Sequence, residues 1–174
     1  MCVYCGAHAG LITDIILHCG GRCYAFEPNK YLHAILSHKY ANNSHVILHN
    51  QAVSDRNYTT KFLHDGSGII GQGNGITATA RAAKASYEVE VVDLSEILEN
   101  LIEQYGRVYL LKLDVEGAEF GIMEAILDKQ LYKHIDYIAC ETHERFFHDG
   151  DVKIAHLHER IAKEGATNIL LDWI

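Results

Sequence analysis

The chain has 174 residues, 48% of them apolar and 22% charged, and carries a net charge of −8. That is the composition of a soluble globular protein large enough to bury a core in one domain without staples. Without a basic stripe it is a poor candidate for the nucleic-acid backbone. No run reaches the roughly 18 uncharged apolar residues of a membrane helix, and no basic segment opens the chain as a signal peptide would, so the expected location is the cytoplasm.

The charge is uneven: residues 1–87 hold 7 Lys/Arg against 4 Asp/Glu, residues 88–174 hold 8 against 19. In chain order, MCVYC (1–5) reads as a strand and GAHAG (6–10) as a turn. LITDIILHC (11–19) has helical spacing and stops at Gly20-Gly21. CYAFE (23–27) is a second strand closed by Pro28-Asn29, and residues 30–43 a helix ending in Asn-Asn. HVILHNQAVS (45–54) reads as a third strand. The cysteine pairs 2/5 and 19/23 resemble two halves of a zinc site. Residues 2 and 5 of one strand point to opposite faces, however, and buried free thiols are the expectation.

Residues 55–86 break the rhythm as a variable, Gly-rich loop insertion, with five glycines in GSGIIGQGNG. It lacks the Gly-Lys-Ser/Thr of a phosphate loop, and a mobile surface loop over a site is the expectation. YEVEVVDL (87–94) alternates with period two and reads as a half-exposed strand. A helix follows over 94–106, with Asp93 as N-cap and Glu96 positioned for a capping box. VYLLKLD (108–114) is a strongly apolar strand, then come a helix (119–131), a strand (134–142), a helix (151–165) and a strand (168–174). Alternation of this kind predicts an α/β fold, a Rossmann-like doubly wound, mostly parallel sheet in a single domain over 1–174.

Ligands of such sheets bind outside the carboxyl ends of the strands. The residues there are Gly6-Ala7-His8-Ala9-Gly10, Glu27, Asn50-Gln51, Asp114-Val115-Glu116 and Glu141-Thr142-His143. A glycine-rich first turn lets backbone approach a ligand at a helix N-terminus. A carboxylate closing the second strand, as Glu27 does, can accept hydrogen bonds from both ribose hydroxyls. Together they point to a nucleoside-containing cofactor. The turn lacks the G-x-G-x-x-G of a dinucleotide site, and the acidic second half suits a sulfonium cation better than a pyrophosphate.

The stretches "GAHAG", "YAFEPN", "NQAVSD", "VEVVDLSEIL", "LLKLDVEGAEFGIMEAIL" and "ACETH" resemble, in order and spacing, the FkbM-type methyltransferases. The resemblance covers nearly the whole chain, and "LKLDVEGAE" is its most specific piece. It implies the sheet of the S-adenosylmethionine-dependent methyltransferases, here shortened at both ends, and O-methylation of a sugar or other small-molecule hydroxyl. It also implies cofactor contacts from Gly6, Ala7, His8 and Gly10 on the methionine side, Glu27 on the ribose, and Asn50, Gln51 and Ala52 near the adenine. Asp114 and Glu116 would face the reaction centre, with Glu119 opening the next helix against its dipole. Glu141 and His143 would close the rim. The family usually has D-x-G-A-N-x-G at the first turn; here Tyr4 stands at the aspartate and His8 at the asparagine.

Methyl transfer to a hydroxyl needs alignment and a proton acceptor, and Asp114 or His143 suits that role. Glu119 and Glu124 also read as ordinary helix-surface residues. Asp114 with Glu141-Thr142-His143-Glu144 could bind a divalent cation, but the resemblance implies no metal. Two other functions fit the pattern: a methyltransferase-fold binding module without activity, and a dinucleotide-dependent oxidoreductase. The expected partner is a small-molecule or glycan hydroxyl acceptor, with neither nucleic acid nor membrane, and an uncovered sheet edge makes a homo-oligomer plausible.

Overall fold

The structure, a computed structural model, describes residues 1–64, 68–71, 74–76 and 84–171. Its strands are β1 (Cys2–Cys5), β2 (Cys23–Phe26), β3 (Val46–His49), β4 (Ala52–Ser54), β5 (Tyr58–His64), β6 (Lys84–Asp93), β7 (Val108–Leu113), β8 (Ile135–Cys140) and β9 (Ile169–Leu170). Its helices are α1 (Leu11–His18), α2 (Lys30–Lys39), α3 (Leu94–Tyr105), α4 (Glu119–Asp128) and α5 (Gly150–Glu164). Six strands form one sheet in the order β3-β2-β1-β7-β8-β9, and every pair in it is parallel.

Each central strand is apolar on both faces because helices cover both. Val3 and Cys5 pack with the α3, α4 and α5 residues Leu98, Ile122 and Leu157. Cys2 and Tyr4 face the other way, against Ile16 of α1 and Leu36 of α2. The fold is therefore doubly wound, as expected. Cys2 and Cys5 lie on opposite faces, and the five cysteines are free thiols, with Cys19 exposed and the others buried. Each fully buried Leu or Ile here contributes about 1.5–3 kcal/mol relative to exposure.

Local signals account for the helix starts. Asn29 accepts the N–H groups of Tyr31 and Leu32 (3.0 and 3.4 Å) and caps α2. Asp93 accepts from Ser95 N–H at 2.8 Å and caps α3. Glu96 does not complete a capping box. Its carboxylate instead accepts from Asn57 Nδ2 at 2.9 Å, in the turn leading to β5.

Three expectations are corrected. The expected strand 45–54 is split: Val46–His49 stays in the main sheet, and Ala52–Ser54 leaves it for a second sheet of order β4-β6-β5. Residues 58–64, read as part of a loop insertion, form a strand antiparallel to β6. Its alternation buries Phe62 with Ala52, Val89 and Val91 in a small core of their own, the pattern β-branched and aromatic residues favour. The expected last strand 168–174 reduces to Ile169–Leu170, and residues 172–174 lie outside the described residues. Among the described residues no helix is long and apolar enough to cross a membrane.

Candidate active site

Strand order reverses between β1 and β7, the position where doubly wound sheets open a crevice. The two strand ends are pressed together there. Gly6 has φ +86°, and a Cβ on it would lie 1.8 Å from the carbonyl oxygen of Asp114, so glycine alone fits. The turn continues through His8, itself at φ 45°, whose backbone N–H reaches Glu27 Oε2 at 2.6 Å. Asn29 N–H donates to Glu27 Oε1 at 2.8 Å. Glu27 is 4% exposed yet lines the cleft. Burial pushes its carboxyl above the ordinary range, offset in part by those two N–H groups. Each oxygen keeps a lone pair beyond the one already used, which is what a pair of vicinal hydroxyls requires.

The cleft has a volume of about 790 Å³ and runs from Glu27, Pro28, Gln51 and Ala52 to Asp114, Glu116 and Glu141. Ala52, Gly6, Ala7 and His8 line it as well. The described part of the glycine-rich segment contributes Gly71, Asn74, Gly75 and Ile76. It is held by Asn29 Nδ2, which donates to the Ile69 carbonyl at 2.6 Å, and by His8 Nε2, 3.2 Å from the Ile70 carbonyl. The His8 ring is thus engaged with that segment.

Two predicted contact residues sit apart from the cleft wall. Gly10 packs on Tyr40, whose hydroxyl donates to the Gly10 carbonyl at 3.0 Å. Asn50 turns its amide to the carbonyls of Glu27 and Pro28 (2.8 and 3.3 Å). It supports the end of β2.

The acidic end is built by the turn after β7. Glu116 (φ 57°) and Gly117 (φ 112°) both adopt the left-handed region, bending the chain back over the start of α4. Glu119 holds that bend. It is fully buried, its Oε1 accepts from Val115 N–H at 3.0 Å, and its Oε2 accepts from Gly117 N–H at 2.9 Å. Oε1 also lies 2.8 Å from His143 Nδ1. His143 is fully buried as well, stacked on Phe146 with centroids 5.1 Å apart. Its Nε2 lies 3.5 Å from Glu116 Oε2, 3.7 Å from Glu141 Oε1 and 3.9 Å from Asp114 Oδ1. The three carboxylates thus stand between His143 and the cleft.

Burial, with like charges crowded beside it, shapes the titration of Glu116 and Asp114. Burial, helped by the charges of Asp114 and Glu119 and opposed by His143, pushes Glu116 up to about 7. Burial also raises Asp114, against the pull of Lys112. That lysine is buried beneath the rim with its Nζ 3.8 Å from Asp114 Oδ2. Burial disfavours the His143 imidazolium, but the hydrogen bond and charge of Glu119, with the charge of Glu116, outweigh it and raise its pKa. Tyr4, at the family's aspartate position, lies buried at the cleft floor, where burial and the charges of Asp114 and Glu27 hold its hydroxyl protonated.

Sequence reasoning missed Glu119 as the hub, Lys112 beneath the rim, and Arg145 and Phe146 in the cleft wall. A signal for Glu119 was present: an acid at the first turn of a helix, two residues after a glycine, can reach back to loop N–H groups. One end of the cleft therefore offers acceptors for a diol, the other a concentration of negative charge suited to a cation.

No curated protein matches the chain at a significant level. Among solved structures it is similar to methyltransferase FkbM from Methylobacillus flagellatus KT, at 13% identity and a TM-score of 0.52. The match covers 92% of this chain and 36% of that one. The chain thus spans about a third of that protein, and the likeness is one of fold. The profile of the Methyltransferase FkbM domain matches residues 5–166, from the end of β1 to just past α5; with that coverage, the chain belongs to the FkbM methyltransferase family.

Proposed function

We propose that the chain is an S-adenosylmethionine-dependent O-methyltransferase acting on a hydroxyl of a sugar or other small molecule. The observation that carries this reading is the pairing, in one cleft at the strand-order reversal, of a buried diol acceptor, Glu27, with the acidic rim of Asp114, Glu116 and Glu141. A nucleoside that ends in a sulfonium needs both. Gly6, Ala7 and His8 bring backbone close to the ligand, and Gln51 and Ala52 line the end nearest Glu27. Bound S-adenosylmethionine supplies an electrophilic methyl group together with its leaving group.

The protein's own task is to orient the acceptor hydroxyl and take its proton. Glu116, with its pKa near 7, and Asp114 both line the cleft and can receive that proton directly. His143 lies behind them, so its part is that of a positioning group, itself oriented by Glu119.

Calorimetric titration with S-adenosylmethionine and S-adenosylhomocysteine tests the reading. Micromolar binding that weakens about tenfold or more in Glu27→Ala, the loss of a charge-assisted pair, is the expected result. Absence of binding to either compound would overturn it and favour a binding module of the same fold, with Tyr4 in place of the usual aspartate as the cause.

A further inference from the structure

His143 Nδ1 lies against the Glu119 carboxylate, which can only accept, so Nδ1 carries the proton. This leaves Nε2 as the free donor of an electron pair. Nε2 is fully buried and has no hydrogen-bond partner among the described residues. It points at three carboxylate oxygens at 3.5, 3.7 and 3.9 Å. Those separations are too long for hydrogen bonds, so a proton on Nε2 would reach none of them. Glu116 Oε2, one of the three, is likewise buried without a hydrogen-bond partner among the described residues. Two unsatisfied buried atoms face each other across a gap, and in native structures such groups are paired or coordinate an ion.

We propose that Asp114, Glu141 and His143 Nε2 bind a divalent first-row metal ion, with Glu116 beside it and not coordinated. Ligand atoms of Asp114, Glu141 and His143 all lie within 4.8 Å of one another. Tetrahedral coordination with bonds of about 2.1 Å sets donor atoms about 3.4 Å apart. The distances from Nε2 exceed this by only a few tenths of an ångström, and rotation of the two partly exposed carboxylates, within 4.8 Å of each other, brings them to the ion. Glu119 then completes the carboxylate–histidine–metal arrangement that fixes tautomer and ring orientation. One imidazole among carboxylates selects Mn2+ or Zn2+ over Ca2+, which wants six to eight oxygens, and over Mg2+, which keeps an all-oxygen shell. With three protein ligands, two of them lining the cleft, a tetrahedral ion keeps its fourth position open toward it, and there it would lower the pKa of a bound hydroxyl.

The inference goes beyond the methyl-transfer reading and is tested without S-adenosylmethionine, so failure of one leaves the other standing. Chelator-treated protein is titrated with Mn2+, following the loss of the free-ion signal by electron paramagnetic resonance, and then with Zn2+ in competition. One Mn2+ per chain at micromolar affinity, displaced by Zn2+, is the expected result. Glu141→Gln keeps the side chain's shape at a partly exposed position and should weaken binding tenfold or more, as should Asp114→Asn. His143→Gln should abolish binding, but that ring is buried, so the carboxamide variants carry the test if it fails to fold. For each folded variant the metal-induced rise in melting temperature should shrink in parallel. No binding of Mn2+ or Zn2+ at 100-fold excess would overturn the site. Binding unchanged in both Glu141→Gln and Asp114→Asn would equally overturn it, placing the ion on other histidines.

Discussion

Replacing Glu119 by glutamine tests whether the buried carboxylate holds the acidic rim together. The carboxylate serves three donors: Val115 N–H and His143 Nδ1 at Oε1, and Gly117 N–H at Oε2. A glutamine has one acceptor oxygen. Placed at the Oε1 position, it keeps two of these bonds and turns its own NH2 against Gly117 N–H, donor to donor. The stranded buried N–H costs about 1–3 kcal/mol, and losing charge assistance in the other two costs about 0.5–1 kcal/mol each. Relief from burying a charge offsets part of this, leaving about 3 kcal/mol. The bend it secures includes Glu116 in the left-handed region, itself unfavourable by about 1–2 kcal/mol for a residue with a Cβ, so little in the loop opposes its opening. For a chain of this length the melting temperature should fall by about 6–12 °C, read by circular dichroism alongside urea unfolding. The His143 Nδ1–H resonance, followed by NMR, should move upfield as its charged acceptor is replaced by a neutral one. A variant within about 0.5 kcal/mol of the wild type, with that resonance unmoved, would refute the idea that Glu119 organises this turn.

Two further perturbations probe the rim and the strand crossing. Glu116 has a folded-state pKa raised from 4.5 to about 7. It therefore contributes stability in full below pH 4.5 that is lost as the pH rises through about 7. Glu116→Gln, which mimics the protonated form, should match the wild type at low pH. Above pH 7.5 it should exceed it by about 1–2 kcal/mol, after discounting for the access to solvent this side chain retains. Urea midpoints measured from pH 4.5 to 8.5 decide it, and parallel curves would count against the raised pKa. Gly6→Ala would put a methyl group on the Asp114 carbonyl oxygen at a positive φ. Separating β1 from β7 there breaks the Asp114 N–H to Cys5 carbonyl bond of 3.1 Å and should cost upward of about 3 kcal/mol. Soluble Gly6→Ala protein melting within 3 °C of the wild type would contradict the close approach.

Position along a strand can be read from sequence, but depth beneath a surface cannot, and this separates what was legible here from what was not. The apolar runs 1–5, 23–27 and 108–114 place Gly6, Glu27 and Asp114 at strand ends, and the fold brings those ends to one cleft. Residues 58–64 escaped notice because the glycines that follow dominate the window, although Phe62 alternates correctly for a strand facing Ala52 and Val91. Glu119 and Glu124 carry the same side chain at similar helical spacing. One is fully buried and the other pairs with Arg160 at 2.7 Å near the surface. What separates them is the turn at Glu116 and Gly117, whose backbone folds two N–H groups inward toward α4 and so makes an acid there a requirement. The same turn explains His143. A histidine at a strand end reads as a candidate base facing solvent, but the chain bending back from β7 roofs it with carboxylates. The chemistry of this site therefore belongs to the cluster as a unit, and substitution of any one member should be felt in the protonation of the others.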